Sequence, residues 1–201
     1  MDTCCIDKTS SSELTEAINS MFAWYSQCVI CYALLKDLDS AATHKDPALL
    51  GRSRWFTRGW TLQELIAPQF LVFYGADWEK IGTRDALVVE VAEASGIDVD
   101  VFVNGRLAQY SIAQRMSWAA GRQTTRVEDE AYCLLDIFGV NMPMLYGEGK
   151  MAFIRLQEEI MRRSDDESLF AWKSTDRTSE CGLLAPSTAC FVYSGGIKVA
   201  N

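Results

Sequence analysis

An α/β fold built on a parallel sheet is what this chain predicts, on three observations. Two runs, CVICYALL at 28–35 and FLVFY at 70–74, are apolar at successive positions, which marks strands covered on both faces. Leu14, Ile18, Met21, Tyr25 and Cys28 recur at helical spacing ahead of the first run. Strands separated by helices cannot pair as tight hairpins, so the sheet they build is parallel and the helices cover it.

Taken in order, MDTCCI at 1–6 reads as an opening strand, and Ser10 with Glu13 forms a capping box that starts the first helix. Residues 36–54 include Asp37, Asp39, His44, Asp46, Pro47 and Gly51 and are too polar for a core element, so a mobile loop is expected there. Thr61 and Glu64 match a second capping box, on a short helix that Pro68 stops. Residues 79–165 read as nearly all helix. One helix covers 84–94 and ends at Gly96, another covers 112–120 and closes at Gly121, and Thr125 with Glu128 caps a third ahead of Ala131, Leu134, Leu135 and Phe138. A last helix over 148–163 has Phe153, Leu156 and Ile160 on one face, with the pairs Glu158–Arg162 and Glu159–Arg163 on the other. From 166 onward SLFAW, GLLA, CFVYSGG and IKVAN read as short strands of a β-rich region cut short at Asn201. The expected division is 1–78, 79–165 and 166–201.

Composition narrows the class. With 201 residues and 49% hydrophobic content the chain can bury one sizeable core. The formal charge of −8 argues against a general nucleic-acid surface, and Arg52, Arg54 and Arg58 are the local exception. No apolar run has the length of a membrane span, and the opening MDTCC is not a secretion signal, so the expected location is cytoplasmic. Seven scattered cysteines read as reduced and buried. Cys28 and Cys31, with Cys4 and Cys5, could be read as a zinc set, but Val29 and Ile30 between the first two are strand residues, and no metal is expected. The GEGK at 147–150 is not a phosphate loop, because Met144 stands at the upstream glycine position and Met151 follows the lysine; it reads as a turn into a helix.

The segment SRWFTRGWTLQELIAP at 53–68 concentrates the chemistry. Trp55, Phe56 and Trp60 would bury, while Arg54 and Arg58 among them must reach an anion or water, and Glu64 stands one helical turn past Trp60. The single histidine, His44, falls in a polar stretch and leaves no base for a serine or cysteine nucleophile, so carboxylates are the candidates. Ligands of parallel α/β sheets gather beyond the carboxyl ends of the strands, which is where Asp7 falls after the first strand; Glu64 could share that cleft. Glu64 therefore has two readings, a cap or a site carboxylate.

Four separated motifs carry a family resemblance: DTCCIDK at 2–8, RGWTLQE at 58–64, RMSWAAGRQTTRVEDEAYCLLDIFGVNMPMLYGEGKMAFIRLQEEI at 115–160 and GLLAPS at 182–187. Together they resemble the C-terminal part of the fungal heterokaryon incompatibility (HET) domain and the region after it. The chain departs from the family pattern at Asp136 and Gly139, where Gly and then Asp are typical, and the family's opening strand and helix are not in it, so an incomplete copy is expected. The resemblance implies a cell-death or allorecognition signalling module that works through protein partners or self-association. It also implies a distant likeness to the Toll/interleukin receptor (TIR) fold, some members of which hydrolyse NAD with one glutamate. On that second reading NAD is the substrate, Glu64 stabilises the oxocarbenium-like state, Trp60 stacks the base and Arg54 or Arg58 holds the pyrophosphate. On the first reading the same Trp and Arg residues, with Asp7, form an interface hot spot.

Overall fold

The computed structural model describes Ile6, residues 10–174 and residues 182–198, without the side chains of Ser11 and Ser12. The expected strand at 1–6 and the candidate Asp7 lie outside the described residues, apart from Ile6.

Helix α1 (Ser11–Gln27) opens as expected, with the Ser10 hydroxyl accepting from Glu13 N at 3.3 Å. Strands β1 (Cys31–Leu34) and β2 (Leu71–Tyr74) pair in parallel, Cys31 opposite Leu71 and Leu34 opposite Tyr74. The sheet is nonetheless mixed. A third strand, β3 (Lys80–Thr83), turns back from β2 across Gly75–Glu79 and pairs with it antiparallel, so the strand order is β1-β2-β3. The expectation of an all-parallel sheet is corrected here, and β3 falls within 79–165, the region read as nearly all helix. The strand was hard to read because, of its four residues, only Ile81 is buried. Burial on β1 also alternates: Cys31 and Ala33 are buried, while Tyr32 is 63% exposed on this edge strand.

The expected loop at 36–54 is mostly short helices. Asp39 caps α2 (Ser40–Lys45), accepting from Ala42 N at 2.8 Å, and Pro47 opens a 3-10 segment, Pro47–Arg52. The polar residues that argued for a loop act as helix starts. Leu50 and Ser53 from this stretch are fully buried. His44 lies on α2 with Nε2 2.9 Å from the Ile81 carbonyl oxygen.

After a 3-10 turn, Arg54–Thr57, comes α3 (Thr61–Ile66). Arg84 is 4% exposed and fastens the end of this helix to the start of β2. It donates to the Leu65 and Pro68 carbonyls at 2.9 Å each and to that of Gln69 at 3.2 Å. Helix α4 (Val88–Ser95) ends at Gly96 in the left-handed region, where a side chain would be strained. Then come α5 (Val99–Asn104), α6 (Ile112–Ser117), α7 (Asp129–Tyr132), α8 (Leu135–Phe138) and α9 (Met151–Met161). Helix α6 carries a complete capping box, Ser111 with Gln114. On α9, Phe153, Leu156 and Ile160 face the core as expected. Its charged pairs differ: Arg162 pairs with Glu159, and Arg163 donates to the Gly139 carbonyl at 2.7 Å.

Among the described residues the tail contains no strand. SLFAW and CFVYSGG contribute to 3-10 turns, Glu167–Phe170 and Thr188–Phe191, that bury Leu169, Cys190 and Phe191 in the same core as α6 and α9. GLLA is in neither strand nor helix, and IKVAN lies outside the described residues after Lys198. Gln157 fixes this region with two bonds to Ala185, through its carbonyl and its N–H. Apolar runs this short have no period that separates strand from turn.

Candidate functional site

Beside β1 lies a cavity of about 400 Å³. Helix α1 lines one side with Leu14, Ile18, Met21, Trp24 and Tyr25, and β1 adds Tyr32, Ala33 and Leu34. The opposite wall is the segment flagged in the sequence: Trp55, Arg58, Trp60, Thr61 and Glu64. Arg126, Asp129 and Tyr146 complete the rim.

Of the candidates, Arg58, Trp60 and Glu64 are brought together here. Arg54 is not: it is exposed, and its backbone N–H is held by the Asp37 carboxylate at 2.7 Å. Trp55 takes its place on the wall, with its ring edge-on to Phe56 and Phe73 at centroid distances of 5.1 and 5.7 Å.

Neither expected capping box at this site exists. Trp60, not Thr61, is the cap of α3 and is itself helical. The Thr61 hydroxyl faces back to the Trp55 and Arg58 carbonyls, 2.9 Å from the latter. Glu64 is thereby released from the backbone. Burial holds its carboxyl above the usual carboxylate range, against hydrogen bonds to Tyr25 and Trp55 and the nearby Arg58 charge. Thr125 likewise caps nothing, since α7 begins after Glu128. The Glu128 carboxylate accepts from Gly147 N at 2.8 Å and Gly149 N at 3.0 Å. Both glycines have positive φ, which lets two alternate N–H groups of the GEGK turn converge on one oxygen.

Glu128 and Asp129 tie down the same turn, 146–149, and Glu130 ties down the tail. Asp129 accepts from the Tyr146 hydroxyl at 2.8 Å, and Glu130 accepts from the Thr188 N–H and hydroxyl at 2.7 and 2.8 Å. Arg126 lies over the Tyr146 ring, 4.4 Å from its centroid. Sequence reasoning missed Arg126, Asp129 and Tyr146 as cavity residues because they come together only through this folding of 126–146 onto α1. Arg58 and Arg126 have no ion pair among the described residues, so the cavity offers two guanidinium groups, aromatic faces and the half-buried carboxyls of Glu64 and Asp129. That set suits an anionic ring compound or a complementary protein side chain. No cluster of three or more metal-ligating side chains occurs among the described residues, and Cys28, Cys31, Cys133 and Cys190 are free thiols.

A family model described as a domain of unknown function (DUF8212) matches residues 151–190, the stretch from α9 to the last 3-10 turn. Over 208 aligned residues the chain is 44% identical to vegetative incompatibility protein HET-E-1 of Podospora anserina. That alignment takes in 96% of the chain and 15% of the relative, so the chain spans about a seventh of that protein's length. No solved structure matches. Identity at this level along nearly its whole length makes the chain a relative of the fungal heterokaryon incompatibility proteins.

Proposed function

We propose that the chain is a signalling module of fungal vegetative incompatibility, which commits a cell to death after allorecognition. The observation that carries this reading is the 44% identity with an incompatibility protein over 96% of the chain. The module works in the cytoplasm through protein partners or its own copies, and the cavity beside β1 is its working site. Among the described residues no helix is long and apolar enough to cross a membrane. Expression of the chain in a fungal host tests the reading: growth arrest and death are expected, and a host that grows normally while accumulating folded protein contradicts it.

A second reading makes the cavity a nucleotide site that cleaves the nicotinamide bond of NAD, as the TIR likeness implied. What favours it is the placement of Glu64 beside aromatic faces and Arg58 in one cavity. It requires NAD to fall in the dying cells and in the presence of purified protein. Constant NAD, with assembly that grows with protein concentration, leaves the association module.

A further inference from the structure

The turn that carries Arg58, Trp60 and Thr61 into the cavity is held from behind by a cation that does not line it. Arg122, just past α6, donates from Nε to the Trp118 carbonyl at 3.0 Å. Its Nη1 donates to the Arg58 carbonyl at 2.9 Å and to the Thr61 hydroxyl at 3.1 Å. Gln123 extends the contact: its N–H donates to the Thr57 carbonyl at 2.6 Å, and its carbonyl accepts from Gly59 N at 2.9 Å. The two segments meet closely at Gly59, where a Cβ would lie 2.4 Å from Thr124 Cγ2 and 3.2 Å from Cys133 Sγ. Arg122 has no ion pair among the described residues, and its Nη2 is buried without a partner. A guanidinium is costly to remove from water without an anion, so its place here needs a reason beyond packing.

We propose that Arg122 is the positioning residue of the cavity, fixing the backbone from Arg58 to Thr61 so that the Arg58 side chain and Glu64, one turn further along α3, face the same space. The proposal rests on the cavity being the working site. Burial draws the Arg122 guanidinium down to about 10, with Cys133 and Glu64 opposing that fall. Glu64 is thus electrostatically linked to Arg122. The other groups around Glu64 are Tyr25 from α1, Cys31 from β1, Trp55 and Arg58, with Arg126, Asp129 and Tyr146 on the rim of the same cavity. Lysine could supply the charge at position 122, but not a fork that reaches three acceptors at once.

The test uses Arg122→Met and Arg122→Lys in the 201-residue chain, with the Glu64 carboxyl titrated by NMR and the Arg58 Nε–H signal followed alongside. In Arg122→Met the Glu64 midpoint is expected to move above the parent's, and in both variants the single Arg58 signal is expected to split or broaden. Arg115→Met serves as a control for structure alone, because Arg115 is a half-buried guanidinium bonded to the Ile137 carbonyl. It should lower thermal stability and leave Glu64 unmoved. A folded Arg122→Met with an unchanged Glu64 titration overturns the proposal. If that variant does not fold, Arg122→Lys decides: a single sharp Arg58 signal overturns the proposal, and a split one upholds it. Failure of the underlying reading is distinct, because cell killing that survives Glu64→Gln removes the cavity from function whatever Arg122 does to the titration.

Discussion

Glu64 and Glu128 each stand three residues after a threonine beside a short helix, and the surroundings of their carboxylates are opposite. Backbone N–H groups at Glu128 itself, Gly147 and Gly149 hold the Glu128 carboxyl below the usual carboxylate range. Burial holds that of Glu64 above it. Glu128 is committed to closing a turn, so its charge is part of the fold. Glu64 hydrogen-bonds to the side chains of Tyr25 and Trp55 and lines a cavity, where a carboxyl raised by burial is costly to stability and available to a ligand.

The largest effect that would sharpen this contrast is at the committed carboxylate. Glu128→Ala leaves two N–H groups of a tight turn without their charged acceptor, at a cost on the order of 3 kcal/mol read by chemical denaturation. A loss under about 1 kcal/mol would show that the turn does not depend on it. Arg84→Met removes three bonds to backbone carbonyls from a buried site and should cost about 2 kcal/mol in the same assay. A neutral result would mean that water replaces the guanidinium.

Asp136 provides a second carboxyl raised by burial, although the Phe22 backbone hydrogen-bonds to it. Burial raises it from 3.8 to about 6, and its Oδ2 has no partner. The folded state therefore binds its proton more tightly than the unfolded state. The stability it contributes is present below pH 3.8 and lost as pH rises through about 6. Asp136→Asn should flatten the stability profile over that window and raise stability at pH 7 by about 1 kcal/mol, a figure discounted because the side chain is partly exposed to solvent. A parallel profile in the variant would remove Asp136 as its source. The smallest effect belongs to the exposed Arg162–Glu159 pair, where Arg162→Ala should change the melting free energy by less than about 0.5 kcal/mol.

The parallel pair β1 and β2, the start of α1, the end of α4 and the core face of α9 were legible because each follows from a local rule: an apolar run, a serine cap, a glycine stop, a helical stripe. The third strand was not, since four residues with one buried side chain leave no period to read. Nor were the 3-10 turns of the tail, whose apolar runs fit a strand equally well. At the site, the sequence singled out Arg58, Trp60 and Glu64 by their mixture of charge and aromatic surface. It could not show that the Thr61 hydroxyl faces away from its expected partner, or that Arg126 and Tyr146 close the rim. The rim depends on contacts between segments distant in sequence, and the Thr61 hydroxyl bonds instead to carbonyls three and six residues before it.

The central claim is that Glu64 works in the cavity whereas Glu128 works in the fold, and Glu64→Gln measured beside Glu128→Gln in a fungal host is its most direct test. Glutamine keeps the shape of each side chain and removes the charge. Glu64→Gln is expected to lose cell killing while its melting temperature stays at or above the parent's, and Glu128→Gln is expected to melt lower. Killing that persists in Glu64→Gln, or a melting temperature that falls as far as that of Glu128→Gln, would contradict that claim.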